Sequence, residues 1–269
     1  TFALDILESS RGQNKSRNRE VFAVLIRLHS QNPQLLSNLS RVIQYMCTLQ
    51  PPEFVFVSFS VELDKFVTKR LESPDVETNK LSDDLQFVSS FVQQMNHVLL
   101  NTEETAGLRS LLMDCIGSRM DGDRDKRRAV LFHILLHSFA HNLVASVSLC
   151  LLGGAYRTSS SFLYQVDPLD IDLVFLMEID KLVEVMERTV FRNLHLRMVE
   201  PDENPYREGS GAMLFRALKS LLMLLPQSTA QNVLSDRLVP VARFRQTALS
   251  MDHWKETEPV VESMVYINR

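Results

Sequence analysis

Pro51-Pro52-Glu53-Phe54-Val55-Phe56-Val57-Ser58-Phe59 is the stretch on which the fold class turns. Phe54-Val55-Phe56-Val57 is rich in residues that favour strands. The proline pair ahead of it suits the first turn of a helix, where a missing backbone N–H breaks no hydrogen bond. Val55, Phe59, Phe66 and Val67 then fall at helical spacing, so the stretch is read as a helix. The surroundings agree. Upstream, Phe22, Leu25, Ile26 and His29 share one face, and Pro33 opens a second segment carrying Leu36, Leu39, Ile43 and Met46, which implies an antiparallel pair. Downstream, Leu81, Leu85, Val88, Val92, Met95 and Leu99 recur every three or four residues behind Ser82, a candidate cap.

Leu108, Leu111, Leu112 and Cys115 continue the pattern as far as Gly117. The run Asp121 to Arg128 mixes charges of both signs and reads as a solvated loop and internal boundary. Beyond it Phe132, Leu135, Leu136 and Phe139 form one stripe, and Leu143, Val144, Val147, Cys150 and Leu151 form another that Gly153-Gly154 stops. Tyr156 to Tyr164 leads to a helix capped by Asp170, with Ile171, Val174, Phe175, Leu182, Val185 and Met186 facing inward. Phe191, Leu194 and Met198 follow, then a loop over residues 200–206. Leu214, Ala217, Leu218, Leu221 and Leu225 mark a helix ending near Pro226, and residues 227–238 a further one.

The expectation is an all-α chain of stacked antiparallel helix pairs, a HEAT-like α-solenoid or related helical stack. Residues 1–17 read as a flexible tail, 18–120 as a helical-repeat part and 121–128 as the charged loop. Residues 129–240 form a second helical region. The segment 241–269 can dock as an amphipathic helix through Trp254 and Met264.

Composition narrows the function. Hydrophobic residues make up 45% of the 269, enough for a sizeable core, and only 8 glycines occur, which argues against an all-β design. Acidic residues outnumber basic ones by 33 to 29, so no global positive field draws the chain to nucleic acid. The apolar run Leu143 to Leu152 falls well short of the roughly 20 residues of a membrane span, and no direct membrane insertion is expected. Cys47, Cys115 and Cys150 lie apart in apolar surroundings and read as buried free thiols in a reducing compartment. The chain opens on Thr1 with no signal-peptide pattern, and reads as a piece of a longer protein.

Chemistry-bearing patterns are few. His133, His137 and His141 repeat every fourth residue, a spacing that can present imidazoles to zinc and carries the alternative reading of a zinc-dependent hydrolase. Against it, the glutamate of the HExxH pattern is missing and no carboxylate stands at ligand spacing nearby. Asp167, Asp170, Asp172, Glu178 and Asp180 fit neither a calcium loop nor a carboxylate pair, and Asp170 suits a helix cap. Gly153-Gly154 and Gly209-Ser210-Gly211 match no phosphate-loop fingerprint and read as a helix stop and a flexible loop. Lys126-Arg127-Arg128 is flanked by aspartates and reads as solvated. No catalytic residue, metal or cofactor is assigned.

Several motifs between Leu131 and Leu238 carry a specific resemblance. They are His141-Asn142, Val147-Ser148-Leu149-Cys150-Leu151-Leu152, Ala155-Tyr156-Arg157, Asp180-Lys181-Leu182-Val183, Asn204-Pro205-Tyr206, and Leu218 through Ser228. Together they resemble the C-terminal region of the Vac-fourteen family, the HEAT-repeat scaffold of the phosphatidylinositol 3-phosphate 5-kinase complex. Residues 19–116 resemble it more loosely, through Asn32-Pro33-Gln34-Leu35-Leu36 and the helix from Leu85 to Leu100. The resemblance fades after Arg243, and Arg207-Glu208-Gly209-Ser210-Gly211 lengthens the loop beyond the family's pattern.

The resemblance implies a non-catalytic scaffold that self-associates and binds a Sac-domain phosphoinositide phosphatase, with the lipid kinase a partner of the full-length protein. It implies control of phosphatidylinositol 3,5-bisphosphate from a cytoplasmic, peripheral position on vacuolar or late-endosomal membranes. Residues 129–240 become the family-specific partner-binding region. The partner-binding residues expected are His141, Asn142, Tyr156, Arg157, Asp180, Lys181, Asn204, Pro205 and Tyr206. Leu222, Leu225 and Trp254 are expected at an oligomer contact.

Overall fold

A computed structural model describes residues 15–72, 78–117, 122–167 and 171–251, and among these every regular element is a helix. The chain divides into two compact units between Gly153 and Gly154.

The first unit holds α1 (Lys15–Gln31), α2 (Leu36–Leu49), α3 (Pro52–Leu71), α4 (Thr78–Asn101), α5 (Ala106–Leu112), α6 (Asp123–Phe139) and α7 (Leu143–Gly153). The proline-led stretch is a helix, as its spacing predicts. Pro52 occupies its first turn, and every residue from Phe54 through Ser60 is buried. Seven consecutive residues are about two turns, so α3 is covered on all sides over that span. The cover comes from α1, α2, α4, α5 and α6, all of which contact it. Phe59 lies at its centre, with its ring centroid 4.8 Å from Phe22 of α1 and 5.3 Å from Phe91 of α4. The strand preference of Phe-Val-Phe-Val is a fit to a half-buried pleated surface, and a fully surrounded helix offers those side chains as much packing.

The apolar stripe of α4 is buried at Val88, Val92, Met95 and Leu99 as expected. Its start differs. The helix begins at Thr78, which puts Ser82 inside it rather than at its cap, and Leu85 is 39% exposed. The run 123–128 is not a loop but the opening of α6, where Asp123 and Asp125 stand in the first turn beside the positive end of the helix dipole. Arg128 donates to the carbonyls of Leu111 at 2.7 Å and Met113 at 2.6 Å, fastening α6 to the end of α5. Asp121 lies outside the described residues, and the division of the chain falls after α7 rather than here.

Helix α7 is the second fully surrounded element, buried at every residue from Val144 to Gly153. Its serines are satisfied internally: Ser146 donates to the Phe139 carbonyl at 2.7 Å and Ser148 to Asn96 Oδ1 at 2.6 Å. A Cβ on Gly153 would stand 2.5 Å from the Phe132 ring, and Gly154 follows with a φ of 74°, so the pair ends the helix as its sequence indicates. Cys47, Cys115 and Cys150 are free and buried, and burial raises the Cys47 and Cys115 thiols to about 12, leaving both unreactive.

The second unit holds α8 (Tyr156–Tyr164), α9 (Leu173–Met186), α10 (Arg192–Val199), α11 (Gly211–Leu224) and α12 (Thr229–Met251). Helix α11 packs against α8, α10 and α12, and α9 against α12. The cap of α9 is Asp172, whose carboxylate accepts from the Phe175 N–H at 2.7 Å. The expected cap, Asp170, lies outside the described residues, as does Trp254. Helix α12 continues through Pro240 to Met251, so residues 241–251 belong to it rather than to a separate segment.

Truncating Phe59 to alanine removes ring contacts to two helices in a site closed on every side. The expected loss is about 3–5 kcal/mol, read as a lowered urea midpoint at unchanged slope.

Candidate partner-binding surface

Helix α8 starts without a capping side chain of its own, since Ala155 precedes it. Glu208 supplies the cap from across the unit. Its carbonyl accepts from the Tyr156 and Arg157 N–H groups at 3.1 and 3.4 Å, and its carboxylate from the Thr158 N–H at 2.8 Å. Three unpaired donors of a helix start are thereby met by one residue.

The loop that carries Glu208 is held as firmly at its other end. Ser210 caps α11 by accepting from the Met213 N–H at 3.2 Å and donates to the Pro205 carbonyl at 2.6 Å. Asp202 accepts from the Gly211 and Ala212 N–H groups at 2.8 and 2.9 Å and from Arg245 of α12 at 2.7 Å. Arg245 also donates to the Met198 carbonyl, and Arg197 to the Gly209 carbonyl at 2.8 Å. Gly211 has to be glycine, because a Cβ there would sit 2.2 Å from the Arg197 carbonyl oxygen. Gly209-Ser210-Gly211 is therefore a buried junction and not the flexible loop its composition suggests.

Tyr206 is presented by this junction. Its N–H donates to Asn204 Oδ1 at 3.0 Å in an Asx turn, Pro205 is half-buried beside it, and its side chain is 62% exposed. Asn204, Arg157 and Lys181 are exposed as well, and Asp180 is half-buried, accepting from Ser228 at 3.2 Å. Tyr156 is not a surface residue, being enclosed in the core. Leu222 and Leu225, expected at an oligomer contact, are covered by neighbouring helices of the same unit, and Met223 alone of Leu221 to Leu225 is widely exposed.

His141 and Asn142 belong to the first unit. Asn142 is buried, with Oδ1 accepting from the Ala145 N–H at 2.8 Å and Nδ2 donating to Ser89 at 3.3 Å, so it caps α7. Helix α6 ends at Phe139, which takes His141 out of the helical repeat that His133 and His137 share. His137 pairs with Asp64 at 3.6 Å. Among the described residues no group of three or more His, Cys, Asp or Glu is placed to hold a metal ion. The spacing behind the zinc-hydrolase alternative does not survive the end of α6.

The outer face of α9 escapes the sequence reading. Leu173, Val174 and Met177 are 73%, 59% and 51% exposed, whereas the spacing places Val174 inward. The residues that pack are Ile179, Leu182, Val183, Val185 and Met186, all from the helix midpoint onward. Among the described residues no helix is long and apolar enough to cross a membrane.

Among the described residues these features define an all-α helical module, with its helix ends cross-capped, an aromatic loop tip and an exposed apolar helix face. The family described as vacuolar protein 14 C-terminal Fig4p binding matches residues 32–241, and the chain belongs to it. Relatives include a protein VAC14 homolog of Arabidopsis thaliana, 32% identical over 76% of this chain and 23% of its own length. A protein VAC14 homolog of Schizosaccharomyces pombe is 27% identical over 87% of this chain and 25% of its own. The vacuole morphology and inheritance protein 14 of Saccharomyces cerevisiae is 24% identical over 88% and 23%. The chain thus spans about a quarter of the length of these relatives. No solved structure matches it.

Two tests follow from this geometry. Gly211→Ala drives a methyl into backbone and should destabilise by more than about 2 kcal/mol. Gly107→Ala, where nothing lies within 4 Å, should stabilise α5 by about 0.5–1 kcal/mol, so opposite shifts in thermal midpoint are expected. The second test is pH. Burial holds His195 below the usual imidazole range, and it holds His141 there too, helped by His137 and opposed by Asp64. Arg237 donates to the His195 ring, which must then be neutral to accept. The unfolded chain takes up these protons at higher pH, near the unperturbed value of about 6.5, so it binds more protons than the folded chain just below that value. Stability is full above that range and falls as pH drops through it, which urea midpoints at pH 7.5 and about 5.5 would read.

Proposed function

We propose that this chain is a non-catalytic scaffold segment that binds a Sac-domain phosphoinositide phosphatase and self-associates. Through it the complex controlling phosphatidylinositol 3,5-bisphosphate synthesis and turnover is organised, on the cytoplasmic side of vacuolar or late-endosomal membranes. The kinase of that complex is a partner of the full-length protein, and this segment is a peripheral passenger.

The observation that carries the reading is the match of residues 32–241 to a family described by its binding of Fig4p. The geometry supports it through surface chemistry. Interface centres favour Tyr, Phe, Met and Arg, and the fully buried core of an interface is more apolar than the rest of the surface. Tyr206, Leu173, Val174 and Met177 have that character, and the first is fixed by the Asp202, Glu208 and Ser210 bonds around it.

The test is co-purification of this chain with the phosphatase, together with light scattering at rising concentration. Leu173→Asp and Met177→Asp alter exposed positions, so the thermal midpoint should hold while phosphatase capture or self-association weakens at least ~10-fold, about 1.4 kcal/mol. A monomer at all concentrations that captures no phosphatase would refute the proposal.

A further inference from the structure

Between α1 and α3 the first unit carries a cleft of about 460 Å³ that the reading above leaves unused. Its floor is apolar, made by Ala23, Ile26 and Phe66. Its rim is basic: Arg27 on one side, Lys65, Lys69 and Arg70 on the other, against the single carboxylate of Glu62. That imbalance stands out in a chain whose overall charge is −4.

Part of this charge belongs to the fold. Lys69 and Arg70 lie in the last turn of α3, where cations offset the negative end of the helix dipole. Arg70 also pairs with Asp84 at 3.2 Å and stands 5.4 Å over the Phe66 ring. Arg27 and Lys65 lie outside the last turns of their helices and are exposed. Lys65 is exposed and bonds Glu62, a carboxylate only 12% exposed, at 2.6 Å, and its ammonium has further donors for a second carboxylate. The wall from Ala23 to Gln31 precedes residues 32–241, the stretch that the family matches, and the wall from Glu62 to Arg70 lies within it.

We infer that this cleft is a docking groove for an acidic, amphipathic peptide segment of a partner protein, its apolar side chain seated on Phe66 and Ile26 and its carboxylates on Arg27 and Lys65. An apolar floor between two helices with charged edges is the arrangement by which grooves take amphipathic segments. A bare phosphate group would use the rim and leave the floor empty.

The experiment is fluorescence anisotropy of the 269-residue chain with a labelled synthetic helix of about 15 residues, roughly four turns, bearing Leu and Phe on one face and Glu on the other. Binding that weakens with added salt is expected. It should fall at least ~10-fold in Arg27→Glu/Lys65→Glu and in Ala23→Phe, which fills the floor, both checked for an unchanged thermal midpoint. Equal binding by wild type and both variants, or no binding at all, overturns the inference. So does charge-dependent capture on phosphoinositide-containing vesicles without peptide binding, which would make the rim a membrane contact. Phosphatase capture, scored in parallel, should survive in both variants. Its loss there would place the groove within the phosphatase surface and overturn a separate partner.

Discussion

The first unit depends on the enclosure of one helix. From Phe54 to Ser60, α3 offers no residue to solvent, so each helix around it is positioned by what that surface accepts. Phe59 receives an edge from Phe22 and a tilted ring from Phe91, which sets how closely α1 and α4 approach. Such a core leaves little room for adjustment, because interiors at crystal-like density answer a lost ring with a cavity. It also holds a cost. The hydroxyls of Ser58 and Ser60 are buried without hydrogen-bond partners, so shape and not polarity selects small residues there.

Helix ends pose the second constraint, and the chain meets it with long side chains reaching across elements. Arg109 gathers the carbonyls of Leu99 and Thr102, and Arg128 those of Leu111 and Met113. In the second unit Glu208 covers the start of α8, and Asp202 the start of α11 with Arg245 behind it. A buried carboxylate with two N–H donors and a guanidinium is well compensated, whereas removing any one partner strands the rest. The same clamps hold Tyr206 in place, so presentation at the surface is a by-product of how the helices are terminated.

How far the sequence reveals this follows from the range of each interaction. Helices were legible wherever burial was one-sided, as in Val88, Val92, Met95 and Leu99, since a 3.6-residue period records a single buried face. The glycine stop after α7 was legible because the need for it is local. Capping by a residue distant in sequence was not: Glu208 lies 50 residues from Thr158, and no pattern in either neighbourhood signals the other. The charged run at 123–128 reads as solvated, but Arg128 serves carbonyls 15 and 17 residues behind it. The exposed face of α9 was not legible for a related reason. Val174 has the spacing of a core residue, and only the placement of α9 against α12 leaves it outside. Tyr156 and Asn142 sit in motifs shared with a family, yet their contacts are structural, which shows that a matched motif marks fold as readily as binding.

Exposure and chemistry then separate the two units' surfaces. The second unit leaves an apolar helix face and an aromatic tip uncovered, where desolvation supplies most of the association energy and salt matters little. The first unit leaves a cleft whose rim is cationic over an apolar floor, where charge governs encounter and the floor governs residence. Surfaces so different would respond to different conditions, with added salt weakening a contact on the cleft's rim more than one on the apolar face. On the reading proposed above, one partner would be held steadily while a second exchanged, and the separation would need no conformational change, only the unlike composition of α9 and of the walls formed by α1 and α3.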